Sequence, residues 1–358
     1  MSQTQSSHLS IIRLWLLIVA ALVIGTLIVG GATRLTESGL SIVEWKPVTG
    51  VLPPLTDAQW AAEFQKYKQI PQYQQVNRGM SLSEFKTIFW WEWAHRLLGR
   101  TIGIVFLVPF LFFLWRGWVG PGLRGRLWFL FALGGIQGAV GWWMVSSGLA
   151  DRVSVSQYRL AFHMTLACVI LAAIVWTITR LKPIAPIAAS PRLRTSAGIL
   201  VMLTLLQIYL GALVAGLDAG LIFNTWPLID GSFIPAANRL WFDTPLWRNV
   251  FENTLTVQFN HRMVAYLLLA FGIWHAVAVT RSSADRTAKG LAHAYAMLLV
   301  VQAGIGIATL LLMVPLHLAL THQLVAIVLL IIATVHASRL LARAETSAPL
   351  VPAKAEQG

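Results

Sequence analysis

The residues best able to do chemistry in this chain are Glu92, His95 and Arg96, which stand where a polar segment passes into a long apolar run. Glu92 and His95 are three residues apart, so on a helix the carboxylate and the imidazole share one face and can address one bound object together. Ionisable side chains at a membrane boundary are costly to keep there and usually serve a function. The rest of the sequence predicts the helices that position these side chains.

The composition is that of an integral membrane protein. Of the 358 residues, 57% are hydrophobic and only 11% are charged, which is far from an ordinary soluble domain. The sequence predicts an all-α polytopic membrane protein with eight transmembrane helices, and no small-residue cleavage site follows the first. The predicted spans are each about 20 residues long, enough to cross a bilayer: about 11–31, 95–115, 127–146, 160–179, 196–216, 261–280, 291–312 and 318–338.

The basic residues act as topology signals. The net charge is +13, and the positive-inside rule places three short basic loops, and with them both termini, in the cytoplasm. This placement excludes nucleic acid as a partner and makes membrane lipid the surroundings. The single cysteine, Cys168, lies in the fourth span and rules out an intramolecular disulfide and a cysteine metal site. The three loops contain one acid, Asp285, and these basic residues: Arg116, Arg124, Arg126; Arg180, Lys182, Arg192, Arg194; Arg281, Arg286, Lys289.

An internal repeat organises the chain. We therefore expect two repeated four-helix bundles of one topology, related by an axis along the membrane normal. Residues of the first half reappear in the second in the same order, at one spacing within the outer loops and at shorter spacings after them, because the second outer loop is shorter: Gly39, Leu40, Trp45, Gly50 and Pro54 match Gly220, Leu221, Trp226, Gly231 and Pro235; His95 and Arg96 match His261 and Arg262; Gln137, Gly141 and His163 match Gln302, Gly306 and His322.

The predicted halves are residues 1–180 and 196–341, joined by a cytoplasmic linker, 181–195, that is rich in Pro, Ala and Arg. The first half has a long outer loop, 33–94. In this loop Trp60, Phe64 and Tyr67 recur at helical spacing and predict a short amphipathic helix on the membrane surface; a simple lid or spacer with no chemistry is the alternative that we favour for this segment. Residues 342–358 are rich in Ala, Pro and charge and are expected to be disordered.

Four of the nine histidines are selected by two independent arguments. They are equivalent in the repeat, and all lie near the outer ends of spans that run from outside to inside: His95, His163, His261 and His322. His317 is also at the outer face, but it lies on a different helix face from His322 and has no counterpart in the first half. The histidines that fail one test or both are His8, His275, His293, His317 and His336.

Two histidines on facing helices of a bundle suit the iron of a haem, which each binds through a neutral imidazole nitrogen. Zinc or copper competes, but wants three or four close ligands, whereas each half offers two histidines in apolar surroundings. Arg96 and Arg262 follow two of the histidines directly, and either pair with haem propionates or extend to lipid headgroups. Small residues leave room for the large ring, although close helix packing explains them as well: Gly138, Gly141, Gly304 and Gly306.

One difference between the halves is chemical. The counterpart of Glu92 is Gln258, an amide that carries no charge and serves neither as a nucleophile nor as a base. The first half therefore has the features of a reactive site, and the other half has those of a cofactor site. Two roles for Glu92 stay open: a reacting carboxylate, or a salt bridge to Arg34, Arg96 or Lys86 near the membrane surface.

Over nearly the whole chain these residues resemble the haem A synthase family. Any one of the motifs given below is weak evidence for this family, but together they are specific for it. The chain has no cysteine pair in its first outer loop, so it is similar to the cysteine-free, proteobacterial and mitochondrial-like class. The motifs are the Glu-x-x-His-Arg of Glu92–Arg96, the opening of the fourth span at Tyr158–Phe162, the outer loop Asn224–Gly231, Asn260-His261-Arg262 and Thr321-His322-Gln323.

The resemblance implies oxidation of the C8 methyl group of haem O to the formyl group of haem A, through hydroxylated intermediates, for aa3-type cytochrome oxidases. It implies that His95 and His163 bind the substrate haem, that His261 and His322 are the axial ligands of a haem b cofactor, and that Glu92 is needed for catalysis. It also implies a cell inner membrane, with haem O synthase and cytochrome oxidase assembly factors as partners. The electron acceptor and the oligomeric state, a homo-oligomer included, stay open.

Two other functions stay open. A dihaem cytochrome b that relays electrons between a quinol and a partner needs the same four histidines, but it has no use for an acid beside one haem, so Glu92 argues against it. A two-repeat transporter predicts helices interrupted by Gly or Pro near the middle of the membrane. Pro109 interrupts the second span, but the sixth span has no equivalent.

Overall fold

The computed structural model describes residues 3–181, 187 and 189–342, with side chains from residue 7 onward. Within these ranges eight helices are long and apolar enough to cross a membrane, which confirms the predicted all-α membrane fold. The described residues contain no strand, only an isolated bridge between Ile229 and Ser232. The helices are α1 Gln3–Leu35, α2 Asp57–Tyr67, α3 Pro71–Gln75, α4 Leu82–Trp115, α5 Pro121–Ser146, α6 Gln157–Arg180, α7 Pro191–Gly216, α8 Ala219–Ile222, α9 Ala237–Leu240, α10 Thr254–Thr280, α11 Arg286–Leu311 and α12 Leu316–Leu340.

The spanning helices pack in two rings of four. In the first half, α1 and α5 each contact α4 and α6; in the second half, α7 and α11 each contact α10 and α12. The rings meet where α6 packs on α7 and α12, and where α1 packs on α12. Helices α5 and α11 are peripheral, with few buried residues. The division of the chain into two repeated bundles stays a prediction.

Pro109 lies inside α4 without ending it. Proline has no N–H, so the carbonyl of Val105, one turn earlier, loses its helical donor. The indole Nε1 of Trp15 on α1 donates to this carbonyl at 2.7 Å, and the Trp15 ring packs on Phe106 and Phe110. The proline therefore helps to join α1 to α4.

Helix α4 begins at Leu82, well before the expected start of the second span at residue 95. Ser81 and Glu84 form a capping box: the Ser81 side chain accepts from the Glu84 N–H, and the Glu84 side chain accepts from the Ser81 N–H. The last residues of the range 33–94, predicted as an outer loop, are therefore helical, and the extent of the loop outside the membrane stays a prediction. Glu92 and His95 lie inside one continuous helix.

Helix α2 confirms the predicted helix in the first outer loop, but not its position on the membrane surface. Trp60, Phe64 and Tyr67 are buried and pack against Phe85 and Phe89 in the outer part of α4. Aromatic side chains of this size contribute most to the free energy of folding when both faces of the ring are buried. The apolar face of α2 therefore meets protein, and the loop folds over the first half.

The predicted linker is partly helical. Helix α7 begins at Pro191, with Ser190 as its N-cap, inside the expected linker range 181–195. Residues 182–186 and 188 of that range lie outside the described residues. The tail predicted to be disordered, 342–358, also lies outside them apart from Ala342.

Candidate functional site

Each of the four predicted ligand histidines lies against a glycine of a neighbouring helix. A Cβ atom built on any of these glycines would stand closer to the imidazole ring than ordinary van der Waals contact allows, so each ring occupies space that only glycine leaves. The four histidine–glycine pairs are His95 with Gly30 of α1 (3.0 Å to Nε2), His163 with Gly141 of α5 (3.0 Å to Cε1), His261 with Gly211 of α7 (3.1 Å to Cε1) and His322 with Gly306 of α11 (2.8 Å to Cε1).

The glycines predicted to leave room between helices are of two kinds. Gly141 and Gly306 accommodate the rings of two candidate ligands. Gly138 and Gly304 are exposed, and a Cβ at either would meet no atom within 4 Å. The second two glycines therefore neither accommodate a ring nor contact a neighbouring helix.

Three of the four rings also contact a glutamine that lies one helical turn from the paired glycine. Each glutamine Nε2 donates to the backbone carbonyl of its histidine at 2.9 to 3.0 Å, so it holds the helix that carries the ligand as well as the ring. The contacts of glutamine Nε2 with the rings are Gln137 with Nδ1 of His163 (3.2 Å), Gln207 with Nδ1 of His261 (3.0 Å) and Gln302 with Nε2 of His322 (3.5 Å).

The residues present fit a haem iron in each half. His95 lies on α4 and His163 on α6, and His261 lies on α10 and His322 on α12, so each half carries one histidine on each of two of its helices. Two imidazoles from facing helices are the axial set that haem iron uses. Across the described ranges no three His, Cys, Asp or Glu side chains group as a metal site, so a zinc or copper centre has no candidate there. Near the second pair, the buried Nε of Arg262 and Nδ1 of His322 find no partner within the described chain.

Glu92 is buried, and both of its carboxylate oxygens accept hydrogen bonds. Oε1 accepts from Nε and Nη2 of Arg96 at 3.1 and 2.6 Å. Oε2 accepts from Oγ of Ser41 at 2.7 Å and from the backbone N of Ile42 at 2.8 Å. Of the three salt bridges expected as alternatives, the one to Arg96 is present. The carboxylate therefore ties the outer loop to α4, about one helical turn before His95.

Arg96 and Arg262 hold the two outer loops by equivalent main-chain atoms. Each guanidinium donates to a pair of carbonyl oxygens that lie two residues apart, and the two pairs are counterparts in the predicted repeat; Arg262 also donates to Leu228 O at 3.3 Å. The predicted contacts of these arginines with propionates stay a prediction. Arg96 donates to Ile42 O (2.7 Å) and Glu44 O (3.0 Å), and Arg262 donates to Phe223 O (3.3 Å) and Thr225 O (2.8 Å).

Gln258 occupies in the second half the place that Glu92 occupies in the first. Its Oε1 accepts from Nη2 of Arg262 at 2.8 Å, and its Nε2 donates to the carbonyls of Ala219 and Phe223 at 2.9 and 2.8 Å. Acid and amide therefore share one structural task, which is to bind an arginine and an outer loop. This shared task does not explain why the first half has a negative charge at this position and the second half does not.

Charged side chains cluster on the first outer loop. Lys66 donates to Glu44 at 2.9 Å and to Glu63 at 2.8 Å, and Lys46 also pairs with Glu44. Hydrogen bonds from Lys46 and then Lys66 lower the pKa of the Glu44 carboxyl. Glu44 therefore stays ionised at neutral pH and links the loop segment that carries Lys46 to the helix that carries Lys66.

His275 and His336 form a buried pair away from the four candidate ligands. Their Nε2 atoms are 2.8 Å apart, and Nδ1 of His275 shares a hydrogen bond of 2.8 Å with Oγ of Ser196. These contacts join α10, α12 and α7. His317 is exposed, and its carbonyl accepts from Thr321 within the same helix.

Four residues at the site were not identified from the sequence: Gly30, Gly211, Gln207 and Ser41. Gln207 precedes Gly211 by four residues, as Gln137 precedes Gly141, and this shared spacing is a signal that could have found it. Ser41 meets the buried carboxylate only through the tertiary fold. Nothing in its sequence neighbourhood indicates that contact.

Known proteins of one family resemble this chain over most of its length. Residues 13–334 match the COX15-CtaA family model, described as "Cytochrome oxidase assembly protein". The chain is 61% identical over 331 residues to "Heme A synthase" of Rhodopseudomonas palustris (strain HaA2), covering 92% of this chain and 90% of that protein. It is 60% identical over 343 residues to "Heme A synthase" of Bradyrhizobium diazoefficiens, covering 95% of each.

Proposed function

The chain belongs to the COX15-CtaA family of cytochrome oxidase assembly proteins, and we propose from this premise that it is a haem O oxidoreductase with haem A synthase activity. The reaction oxidises the C8 methyl group of haem O to the formyl group of haem A through hydroxylated intermediates. The observation that carries the proposal is the set of four histidine–glycine pairs, two in each half. It is supported by the 61% and 60% identity to proteins named heme A synthase.

The two halves have different tasks in this proposal. The first, 1–180, binds the substrate haem O through His95 and His163, and the second, 196–341, binds haem b through His261 and His322 as axial ligands. Bound haem b supplies an iron that accepts one electron at a time. The assignment is supported by the buried carboxylate, which is present in the first half and replaced by an amide in the second.

Glu92 is the reacting carboxylate in this proposal. Conversion of a methyl to a formyl group with oxygen from water releases four electrons and four protons. A buried carboxylate stabilises positive charge that develops on the substrate carbon and takes up a proton. The hydroxyl of Ser41, which donates to Oε2 in the structure, can turn and accept a hydrogen bond from the protonated carboxyl instead. Glu92 can therefore be protonated without leaving this contact empty.

Arg96 and Arg262 are proposed to pair with propionates as well as with the outer loops. The buried Nε of Arg262 has no hydrogen-bond acceptor among the described residues, so this guanidinium has a donor to give. Arg96 uses Nε, Nη1 and Nη2 within the protein. Its contribution to a propionate is therefore expected to be the smaller one.

The experiment that tests the function is identification of the bound haems. The purified protein is extracted with acidified acetone, and each haem is identified by chromatography and mass. Haem B together with haem O, hydroxylated haem O or haem A supports a cofactor in one half and a substrate in the other. Two equivalents of haem B alone, from cells that make haem O, contradict the proposal.

A dihaem electron-transfer cytochrome b is the second candidate, and one observation favours it. Glu92 and Gln258 both bind the arginine four residues later and the outer loop, so a structural role accounts for the contacts of Glu92 without any part in catalysis. The same extraction separates the two functions, because a relay has no need to bind haem O.

The location and partners follow from the same premise. The chain is a multi-pass membrane protein, and we propose the cell inner membrane with both termini in the cytoplasm, because the basic loops then lie inside. Haem O synthase and cytochrome oxidase assembly factors are the proposed partners. Reporter fusions at each terminus, active only in the cytoplasm, test the orientation.

A further inference from the structure

Each outer loop contains a segment that exposes apolar side chains. The first apolar segment is 45–55 and the second is 226–235, and the two are counterparts in the predicted repeat, since Trp45 matches Trp226. A run of exposed apolar side chains of this size marks a contact with a membrane or with another protein. The most exposed of them are Val48, Leu52 and Leu55 in the first segment and Leu228, Phe233 and Ile234 in the second.

The part of the first outer loop that follows its apolar segment has the opposite distribution of side chains. Helix α2 buries its aromatic residues against α4 and turns small and polar residues outwards. Such a surface is suited to water, whereas the apolar segment next to it in the sequence is not. The exposed positions of α2 include Asp57, Ala58, Gln59, Ala61, Ala62 and Gln65.

The first apolar segment is fixed to α4 within the predicted span 95–115. Arg100, five residues after His95, donates from Nη2 to the carbonyl of Lys46 at 2.8 Å and from Nε to the carbonyl of Pro47 at 2.9 Å. Side chains on a helix lean towards its N-terminus, so these carbonyls lie beside the turn of α4 that follows His95. The loop therefore folds back along the spanning helix instead of remaining beyond its end.

The second apolar segment is fixed to α10 at the equivalent residue. Tyr266 is the counterpart of Arg100 in the predicted repeat. Its hydroxyl accepts from Nε1 of Trp226 at 3.1 Å, and its ring stacks on Phe233 with the two planes 7° apart. A phenol and a guanidinium thus hold the two segments at the same place on their helices. The position of the segments is therefore common to both halves, although the residues that fix it differ.

The surface that these segments extend is the lipid-facing surface of the spanning helices. Trp45 packs on Trp142 of α5, and Trp143, next to it, is exposed. Further along α4 and α10 the exposed side chains are apolar, as expected of helices surrounded by acyl chains. Apolar surface therefore runs from the helices onto the segments. Exposed side chains on the two helices include Ile104, Val108, Leu111, Leu267 and Ile273.

Each apolar segment has one charged residue, and both of these residues are paired. Lys46 pairs with Glu44 and Glu63, and Asp230 pairs with Arg239. Pairing lowers the cost of placing a charge in or beside a bilayer. Lipid also surrounds a membrane protein on all sides, so it can contact both segments at once, whereas a single partner protein would contact one of them. These observations favour lipid over protein.

We propose that both apolar segments insert into the bilayer interface on the side of the outer loops and contact lipid acyl chains there. Trp45 and Trp226 then lie at the level of the headgroups, where tryptophan is enriched in membrane proteins. Each outer loop is thereby held twice, by an arginine that binds its carbonyls and by lipid that covers its apolar side chains. Contact with lipid at these segments does not depend on which haem each half binds.

The test measures which medium surrounds each segment. Full-length protein with one nitroxide label is reconstituted in vesicles of phosphatidylcholine and phosphatidylglycerol. Relaxation of the label by oxygen, which concentrates in lipid, is compared with relaxation by a nickel chelate that stays in water. Cys168, which is buried, is replaced by alanine so that only the introduced cysteine reacts. The labelled variants are Leu52→Cys and Phe233→Cys, with Val108→Cys on α4 as the lipid control and Ala62→Cys on α2 as the water control.

At Leu52→Cys and Phe233→Cys the ratio of oxygen to nickel relaxation is expected to be severalfold higher than at Ala62→Cys and close to that at Val108→Cys. A ratio like that of Ala62→Cys at either segment would place the segment in water and overturn the proposal. Weak relaxation by both reagents would indicate that a second copy of the chain or another protein covers the segment, and this result would overturn the proposal as well.

A second pair of sites makes the test independent of any one substitution. Val48→Cys and Ile234→Cys carry the label on the same two segments, and the same outcomes apply if Leu52→Cys or Phe233→Cys does not fold. The label reports on lipid and not on turnover. A label in water would therefore leave the proposed function untouched, and a protein that makes no haem A would still give the lipid result.

Discussion

Glu92→Gln separates charge from shape at the candidate site, because the natural counterpart in the second half is a glutamine that binds its arginine in the same way. The substitution keeps an oxygen for Arg96 but turns an N–H towards Ser41 and Ile42, which donate to Oε2 in the structure. The Ser41 hydroxyl can turn and accept a hydrogen bond from the new side-chain N–H, whereas the backbone N–H of Ile42 cannot accept one. An unpaired N–H costs about 1–3 kcal/mol, and the uncharged bond to Arg96 loses about 1 kcal/mol more.

We therefore expect Glu92→Gln to fold with a lowered melting temperature, to keep both haems, and to convert haem O on the order of 10²-fold more slowly. The assay is the ratio of haem A to haem O extracted from membranes, with haem per protein as the measure of binding. Gln258→Glu is the matched control, because it adds a carboxylate at the equivalent place in the second half and is expected to leave conversion within a few-fold of wild type.

Ser41→Ala tests whether the carboxylate acts by its charge or by holding the loop. It removes one donor to Glu92 and keeps the charge, so conversion should fall less than tenfold if the charge matters most. Wild-type conversion in Glu92→Gln would refute the catalytic role. Equal losses in Glu92→Gln and Ser41→Ala would show that the carboxylate serves only to position the loop.

Three further predictions concern the second half. Gly306→Ala puts a Cβ 2.8 Å from Cε1 of His322, so haem b content measured by its absorbance should fall severalfold. His336→Ala leaves a buried ring without its partner, a cost of about 1–3 kcal/mol that should lower the melting temperature without loss of haem. Glu252→Gln should lower the melting temperature at pH 7. A hydrogen bond from Arg248 lowers the Glu252 pKa, so its stabilisation is complete above the unfolded pKa and the difference should vanish as the pH falls through the lowered pKa of the folded state.

Each of these predictions has a result that contradicts it. Gly304→Ala is the control for Gly306→Ala, because a Cβ at Gly304 meets no atom within 4 Å; equal haem loss in both variants would mean that the ring contact is not the cause. Normal melting in His336→Ala would remove the structural role of the buried pair. A pH-independent difference for Glu252→Gln would mean that ionisation of this carboxyl does not stabilise the loop.

The spans could be predicted because they leave a strong pattern, and the four histidines stay predicted ligands, each of which lies against a glycine in the structure. Long apolar runs define the helices, and repeat equivalence together with depth separated His95, His163, His261 and His322 from the other histidines. The start of α4 could not be predicted from hydropathy, since its outer turns are set by the capping box at Ser81 and by packing on α2.

The main-chain partners of Glu92 and of the two arginines could not be predicted, for a physical reason. Ile42 and Phe223 take part through main-chain atoms, which every residue possesses, so no residue type signals the contact. Gln207 was missed for a different reason: its counterpart is Thr26, and a search for matching residues passes over a place where the two halves differ.

The arginine contacts with main-chain carbonyls also bear on how the two outer loops can change during evolution. A guanidinium that binds backbone oxygens is indifferent to the side chains on those residues, so the loop stays attached whatever its sequence. The residues whose carbonyls bind Arg96 and Arg262 differ between the two halves, whereas the residues on either side of these segments are the same. Each half can thus acquire its own outer surface without losing the fold beneath it: Leu40 and Trp45 match Leu221 and Trp226, whereas Ile42, Val43 and Glu44 stand against Phe223, Asn224 and Thr225.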